Sequence, residues 1–204
     1  MKVLVVYYSA YGHVLKLARA VAEGVKEVNG AELVLRRVKD FPEDEQKLRE
    51  SKHGKPVLDA QKDIPVCTLD DLEQADAYVV GSPTRYGNMI AQMKRLIDST
   101  GQLWVKGAFE GKPVGFFTST ATAHGGQETT PLTMMAPFLH LGTIIVGVPY
   151  STPGMLHTEG RGGTPYGAST YAGGDNSLEP KPEDLAIAKA LGKRVAEIGM
   201  KLRG

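Results

Sequence analysis

Apolar and polar positions along the chain switch repeatedly between the period of a strand and that of a helix. From Val3 to Tyr8 every residue is β-branched, leucine or aromatic, as in a strand covered on both faces in a parallel sheet. From Leu15 onward Leu15, Ala18, Val21, Ala22 and Val25 recur at helical spacing, with Lys16, Arg19, Glu23 and Lys26 on the opposite side. Further strands are predicted over Ala31 to Val38, Ala77 to Gly81, Val114 to Thr118 and Thr143 to Val148. Helices are predicted over Leu69 to Gln74, Met89 to Thr100 and Thr130 to Leu141. Pro182 opens a last helix with Leu185, Ala188, Leu191, Val195 and Ile198 as its buried stripe. Strand and helix alternate, which predicts an α/β, doubly wound parallel sheet with helices on both faces.

Two stretches exceed that minimal plan. Residues 41–66 are charged and proline-interrupted, with DEQKLRESKHGK at their centre, and read as a mobile excursion or a short exposed helix. Residues 147–179 contain RGGTPYGASTYAGGDNS, rich in glycine but also in tyrosine and threonine, which predicts an ordered surface packed on something. With 204 residues, the chain is expected to form one domain, 1–204, carrying these two insertions.

The turn after the first strand holds Ser9, Ala10, Tyr11, Gly12, His13 and Val14. It sits at the carboxyl end of a strand and the amino end of a helix, where unpaired N–H groups and the helix dipole favour an anion. Neither the Gly-Lys-Ser/Thr of a Walker loop nor the three spaced glycines of a dinucleotide fingerprint is present. The turn contains no lysine or arginine, so a phosphate here would rest on neutral donors. An ordinary serine-capped βα turn is the alternative reading. In open parallel sheets, ligands bind beyond the carboxyl ends of the strands. The loops expected on that edge, GSPTRYGN (81–88) and STATAHGGQ (119–127), are rich in hydroxyls and glycine and suit a planar polar heterocycle.

Net charge is +1 with no long charged block, so nucleic acid and anionic membranes are poor partners. One cysteine, Cys67, leaves no intrachain disulfide and suits a reducing compartment. No apolar run approaches a membrane span and no cleavage pattern precedes the first strand, so a cytoplasmic protein is expected.

Together, SxYGHV, GSPTRYGNM, Gln92-Met93, DSTGQLW, the GGQE end of the 119–128 loop and RGGTPYGASTYAGGD resemble the tryptophan-repressor-binding-protein family. The resemblance spans Lys2 to Arg203. It implies a flavodoxin-like five-stranded sheet of order 2-1-3-4-5 and FMN-dependent NAD(P)H:quinone oxidoreductase activity. It also implies one FMN per subunit, NADH or NADPH as donor, small-molecule quinones as acceptors and a homotetramer. Ser9 to Val14 would hold the FMN phosphate, while Thr84, Arg85 and Tyr86 would line the isoalloxazine. Ser119, Thr120, Ala121, Thr122, Ala123 and His124 would meet its polar edge. His124 stands where glycine is common in the family, and Tyr86 where phenylalanine is. His140 matches a flavin-contacting histidine, also a possible proton donor, and Tyr11 and Trp104 match nicotinamide and quinone positions. On the residues alone, Trp104 and His140 read better as core side chains, Arg85 reads equally as a solvated cation, and His13 as facing solvent or capping its loop. A near-neutral charge and the long insertion before the last helix argue against a flavodoxin-type electron carrier. Nothing in the sequence supports a regulatory interaction protein.

Overall fold

The structure is a computed structural model that describes residues 1–158 and 162–203. The chain opens with strand β1 (Lys2–Tyr7), helix α1 (His13–Lys26) and strand β2 (Glu32–Arg37). Helices α2 (Pro42–Glu50), α3 (Gly54–Ala60) and α4 (Leu69–Gln74) follow, then β3 (Ala77–Arg85), the short β4 (Asn88–Met89), α5 (Ala91–Asp98) and α6 (Gly101–Val105). Strand β5 (Pro113–Thr120), α7 (Thr129–His140), β6 (Ile144–Ile145), β7 (Gly163–Thr164), β8 (Gly167–Tyr171) and α8 (Pro182–Leu202) complete it.

The sheet runs β2-β1-β3-β5-β8-β7, with β4 paired to β3 and β6 to β5. Its main strands are parallel, so the lanes follow the expected 2-1-3-4-5 order. The alternation of β1 divides the core. Val3, Val5 and Tyr7 pack with α1 and α8 on one face. Leu4, Val6 and Tyr8 pack with residues of α4 to α7 on the other.

The expected fifth strand, Thr143 to Val148, is corrected to two pieces. β6 pairs only with the start of β5, and the chain then leaves the sheet and returns as β8 beside the end of β5. The sequence hid β8 because its buried residues are small and hydroxylated. A Cβ on Gly167 would lie 2.2 Å from the Phe116 carbonyl oxygen, leaving no room for the large apolar side chains that mark a buried strand. Arg161 of the RGGTPYGAS motif lies outside the described residues.

The 41–66 excursion is two helices folded back on the first loop. Val57 reaches the surface of Gly12, Gln61 Nε2 donates to the Ser9 carbonyl (3.4 Å), and Tyr7 Oη donates to Gln61 Oε1 (3.3 Å). No helix among the described residues is long and apolar enough to cross a membrane.

Helices α1 and α8 cross with their backbones nearly touching. A Cβ on Gly24 would fall 1.9 Å from the Lys189 carbonyl oxygen, and one on Gly192 would fall 2.1 Å from that of Val21. Backbone cannot yield as a flexible side chain can, so a single methyl must push the helices apart. Gly192→Ala is therefore expected to lower the unfolding free energy by about 2 kcal/mol or more. Urea denaturation checks this, and an unchanged midpoint would show that the crossing is looser than this geometry.

Candidate functional site

β1 ends at the carboxyl edge of the sheet, and its loop turns directly into α1. Ser9 Oγ accepts the N–H groups of Gly12 (3.2 Å) and Leu15 (3.1 Å). With both lone pairs engaged, the hydroxyl retains a proton to donate. Gly12 holds the turn at φ 95°, a left-handed conformation that disfavours any side chain. The remaining free N–H groups of the first helical turn face the same edge.

His13 does not face solvent. It is buried, and its Nε2 lies 2.8 Å from the Leu178 carbonyl, so that nitrogen carries the proton. This pins the first loop to the 172–178 segment. Lys16 adds an exposed ion pair to Glu179. Burial lowers the His13 pKa, with the Leu178 carbonyl partly offsetting it, so the ring is neutral near pH 7.

Three loops converge here. A cleft of about 190 Å³ is lined by Ser9, Tyr11, Thr84, Arg85, Ser119 and Thr120, together with Ala10, His13, Val14 and Ala121. Arg85 is its only charged wall residue among those described. Ala172 and Asn176 also line it. Neither carries a local ligand signature beyond the glycine-rich GGDN turn, where Asn176 adopts φ 61°.

Tyr86 and Gly87, at φ 53° and 78°, form the two-residue turn of a hairpin whose last pair is Arg85 and Asn88. Left-handed tyrosine is strained, and this one is fully exposed at the tip. It divides two cavities. One, of about 770 Å³, is lined by Tyr86, Ala123, His124, Gln127 and the insertion residues Tyr150 and Pro165. Thr120 Oγ1 (2.7 Å) and the Gly125 N–H (3.1 Å) both donate to the Thr122 carbonyl, which shapes the loop. Gln127, which lines this cavity, has its Nε2 buried with no hydrogen-bond partner. Sequence reasoning did not single it out, although it lies in the GGQE motif.

His140 and Trp104 are not brought to this edge. His140 ends α7 just before β6, which pairs with the first residues of β5 at the amino edge, and it is exposed. Trp104 is also exposed rather than in the core. Lys106, two residues on, pairs with Glu73 of α4, which precedes β3. Cys67 is buried, its thiol pushed up to about 12 chiefly by burial, and it takes no part in this edge.

A parallel sheet with a serine-lined βα cradle and two hydroxyl-rich loops at its carboxyl edge defines a flavodoxin-like flavoprotein. The family model described as NADPH-dependent FMN reductase matches residues 1–154. Curated relatives named NAD(P)H dehydrogenase (quinone) include one from Geobacter metallireducens, 52% identical over all of both chains. Another, from Solidesulfovibrio magneticus, is 50% identical, again over all of both chains. The chain belongs to the tryptophan-repressor-binding-protein (WrbA) type of this FMN reductase family. Among solved structures, a WrbA-like flavodoxin from Agrobacterium tumefaciens superposes with a TM-score of 0.65 at 22% identity, covering 98% of each chain. A flavodoxin from the domain Archaea gives 0.62 at 20% identity over all of both chains. Both share the fold.

Neutral, buried His13 leads to a pH expectation. Its folded pKa lies below the unfolded value of about 6.5, so the unfolded state binds the proton first as pH falls. The stability His13 contributes is complete above about pH 6.5 and falls with acidification towards its depressed folded pKa. His13→Gln should flatten the pH dependence of the unfolding midpoint between about pH 7 and 5 relative to the parent. Parallel curves would remove His13 from this linkage.

Proposed function

We propose that this protein reduces quinones to hydroquinones with NADH or NADPH, using one bound FMN per subunit. The observation that carries this reading is the convergence of the Ser9 cradle with the 81–88 and 119–127 loops on one sheet edge. Full-length relatives at about half identity that bear the quinone dehydrogenase name support it. When bound, FMN would accept a hydride at N5 and pass two electrons to the quinone in a ping-pong sequence.

The protein's own part is binding and electrostatics. Ser9 and the α1 N-terminus hold the phosphate, and Gly12 lets it approach the backbone. Thr84 is itself positioned by Thr130, whose Oγ1 donates to it at 2.8 Å, and it lines the cleft with Arg85. The 119–124 loop and the Gln127 amide present donors to the polar edge of the ring, and Arg85 offsets negative charge that builds there on reduction. Tyr86 and Tyr11 offer aromatic faces to flat ligands. Two-electron transfer avoids releasing a quinone radical.

Trp104 and His140 act from a neighbouring copy in this reading, because within one chain they stand at the amino edge. A homotetramer is supported by α7, which carries no Asp, Glu, Lys or Arg yet exposes Leu132 and Leu139 on its outer side. Ile144 beyond it and Val105 beside Trp104 add further exposed apolar area. A cytoplasmic location fits the single buried thiol.

The deciding experiment follows NADH and NADPH oxidation with and without FMN and benzoquinone. Turnover that needs both flavin and quinone is expected, and FMN binding without oxidation would favour an electron carrier. Ser9→Ala removes the hydroxyl donor and should weaken FMN binding about tenfold to a hundredfold, read by quenching of flavin fluorescence. Unchanged affinity would place the phosphate elsewhere. Leu139→Glu should reduce the tetramer to smaller species by light scattering, with the fold intact by circular dichroism. A tetramer that survives would move the interface off α7.

A further inference from the structure

On the far side of the Tyr86 hairpin from the 119–127 loop lies a cavity of about 620 Å³ that the flavin reading leaves unused. It shares Tyr11 and Arg85 with the cleft, so a ligand could pass from one into the other. Its outer wall adds Lys47 from α2 and Lys94 from α5. Three cations from three separate elements therefore meet there. Among the described wall residues Asp44 is the one carboxylate, and it is already engaged. Its Oδ2 accepts from Gln92 Nε2 at 2.8 Å and its Oδ1 from Lys47 at 3.3 Å.

This wall is anchored from beneath. Tyr8 Oη donates to buried Asp40 at 2.6 Å, just before α2, and Gln92 Nε2 spans Asp44 and Tyr8 Oη, the latter at 3.5 Å. Burial is the main cause raising the pKa of both Tyr8 and Asp40, so Tyr8 stays neutral and keeps its proton on this bond. Lys47 is thus carried on a helix fixed at its first turn. The lysine pairs themselves are weakly held. Lys47 to Asp44 and Lys94 to Asp98 (2.5 Å) join exposed groups within single helices, where water screens the attraction. A dianionic phosphate offers these ammonium groups stronger charge-assisted bonds.

Sites that select NAD place a free acid on the ribose 2′-hydroxyl, whereas those that select NADP place a cation near the 2′-phosphate. Here the acid is occupied and cations outnumber it. We propose that this cavity receives the adenosine end of the dinucleotide, with Lys47 and Lys94 holding its 2′-phosphate, so that the protein prefers NADPH to NADH. This rests on the oxidoreductase reading above, from which it takes Tyr11 as the point where the nicotinamide end enters.

The test uses the FMN-loaded full-length chain. Calorimetric titration with 2′,5′-ADP and with 5′-ADP should show at least tenfold tighter binding of the former, with the difference shrinking as salt rises. Lys47→Ala and Lys94→Ala should each lower the NADPH to NADH ratio of kcat/KM severalfold, and the double variant should abolish the difference between the two adenylates. Equal adenylate affinities in the parent, or a kcat/KM preference for NADH, would overturn the proposal. Turnover of neither dinucleotide would instead defeat the quinone-reductase reading, and the adenylate comparison would still decide the subsite.

Discussion

The Ser9 hydroxyl, accepting two N–H groups at the start of α1, is the constraint on which the rest of the site depends. It closes the turn between the first strand and the first helix while leaving the outer N–H groups of that helix turned to the sheet edge. Every neighbouring element is then fitted to that turn. Val57 and Gln61 press on it from the α2–α3 excursion, and His13 ties it to the segment leading into α8. α1 itself is held by the close crossing with α8. A loop with so few charges can hold an anion because its donors are fixed before the ligand arrives, which spares the reorganisation that weakens neutral hydrogen bonds in water.

Strain and polar mismatch collect at the same edge. Tyr86 is left-handed and fully exposed, and Gln127 buries an amide donor without a partner. Both are unfavourable in an isolated surface loop, and a flat, polar-edged ligand between the hairpin and the 119–127 loop, as proposed above, would offset them. Tyr8 and Asp40 lie in the same neighbourhood but are hydrogen-bonded to each other, and their role is to fix α2.

The amino edge has a different character. There α7 ends and Trp104 and His140 stand exposed, while α7, free of Asp, Glu, Lys and Arg, exposes Leu132 and Leu139 along its outer side. Solvent is a poor neighbour for such a surface, and burial against another copy is its natural resolution. Assembly would then bring side chains from the amino edge of one chain to the carboxyl edge of another.

How far the sequence could be read depended on whether the signal was local. The β1 apolar run, the α1 and α8 stripes and the Ser9 to Val14 turn were legible because strand burial, helix period and turn chemistry are set by neighbours along the chain. The sheet order followed from alternation and the family motifs. β8 was not legible, since Phe116 leaves no room for a side chain at Gly167 and the small and hydroxyl residues after it locally resemble a loop. The α2–α3 excursion concealed its order for a related reason. Its charged face is what the sequence displays, while Val57 and Gln61 find their partners only across the fold. Sequence alone thus determined the fold class and the Ser9 turn between β1 and α1. Only tertiary structure decided that His13 is buried, that Gln127 lacks a partner, that Lys47, Lys94 and Arg85 share a wall, and that Trp104 and His140 lie at the far edge. Each of those facts depends on contacts between residues distant along the chain, which hydrophobic periodicity does not encode.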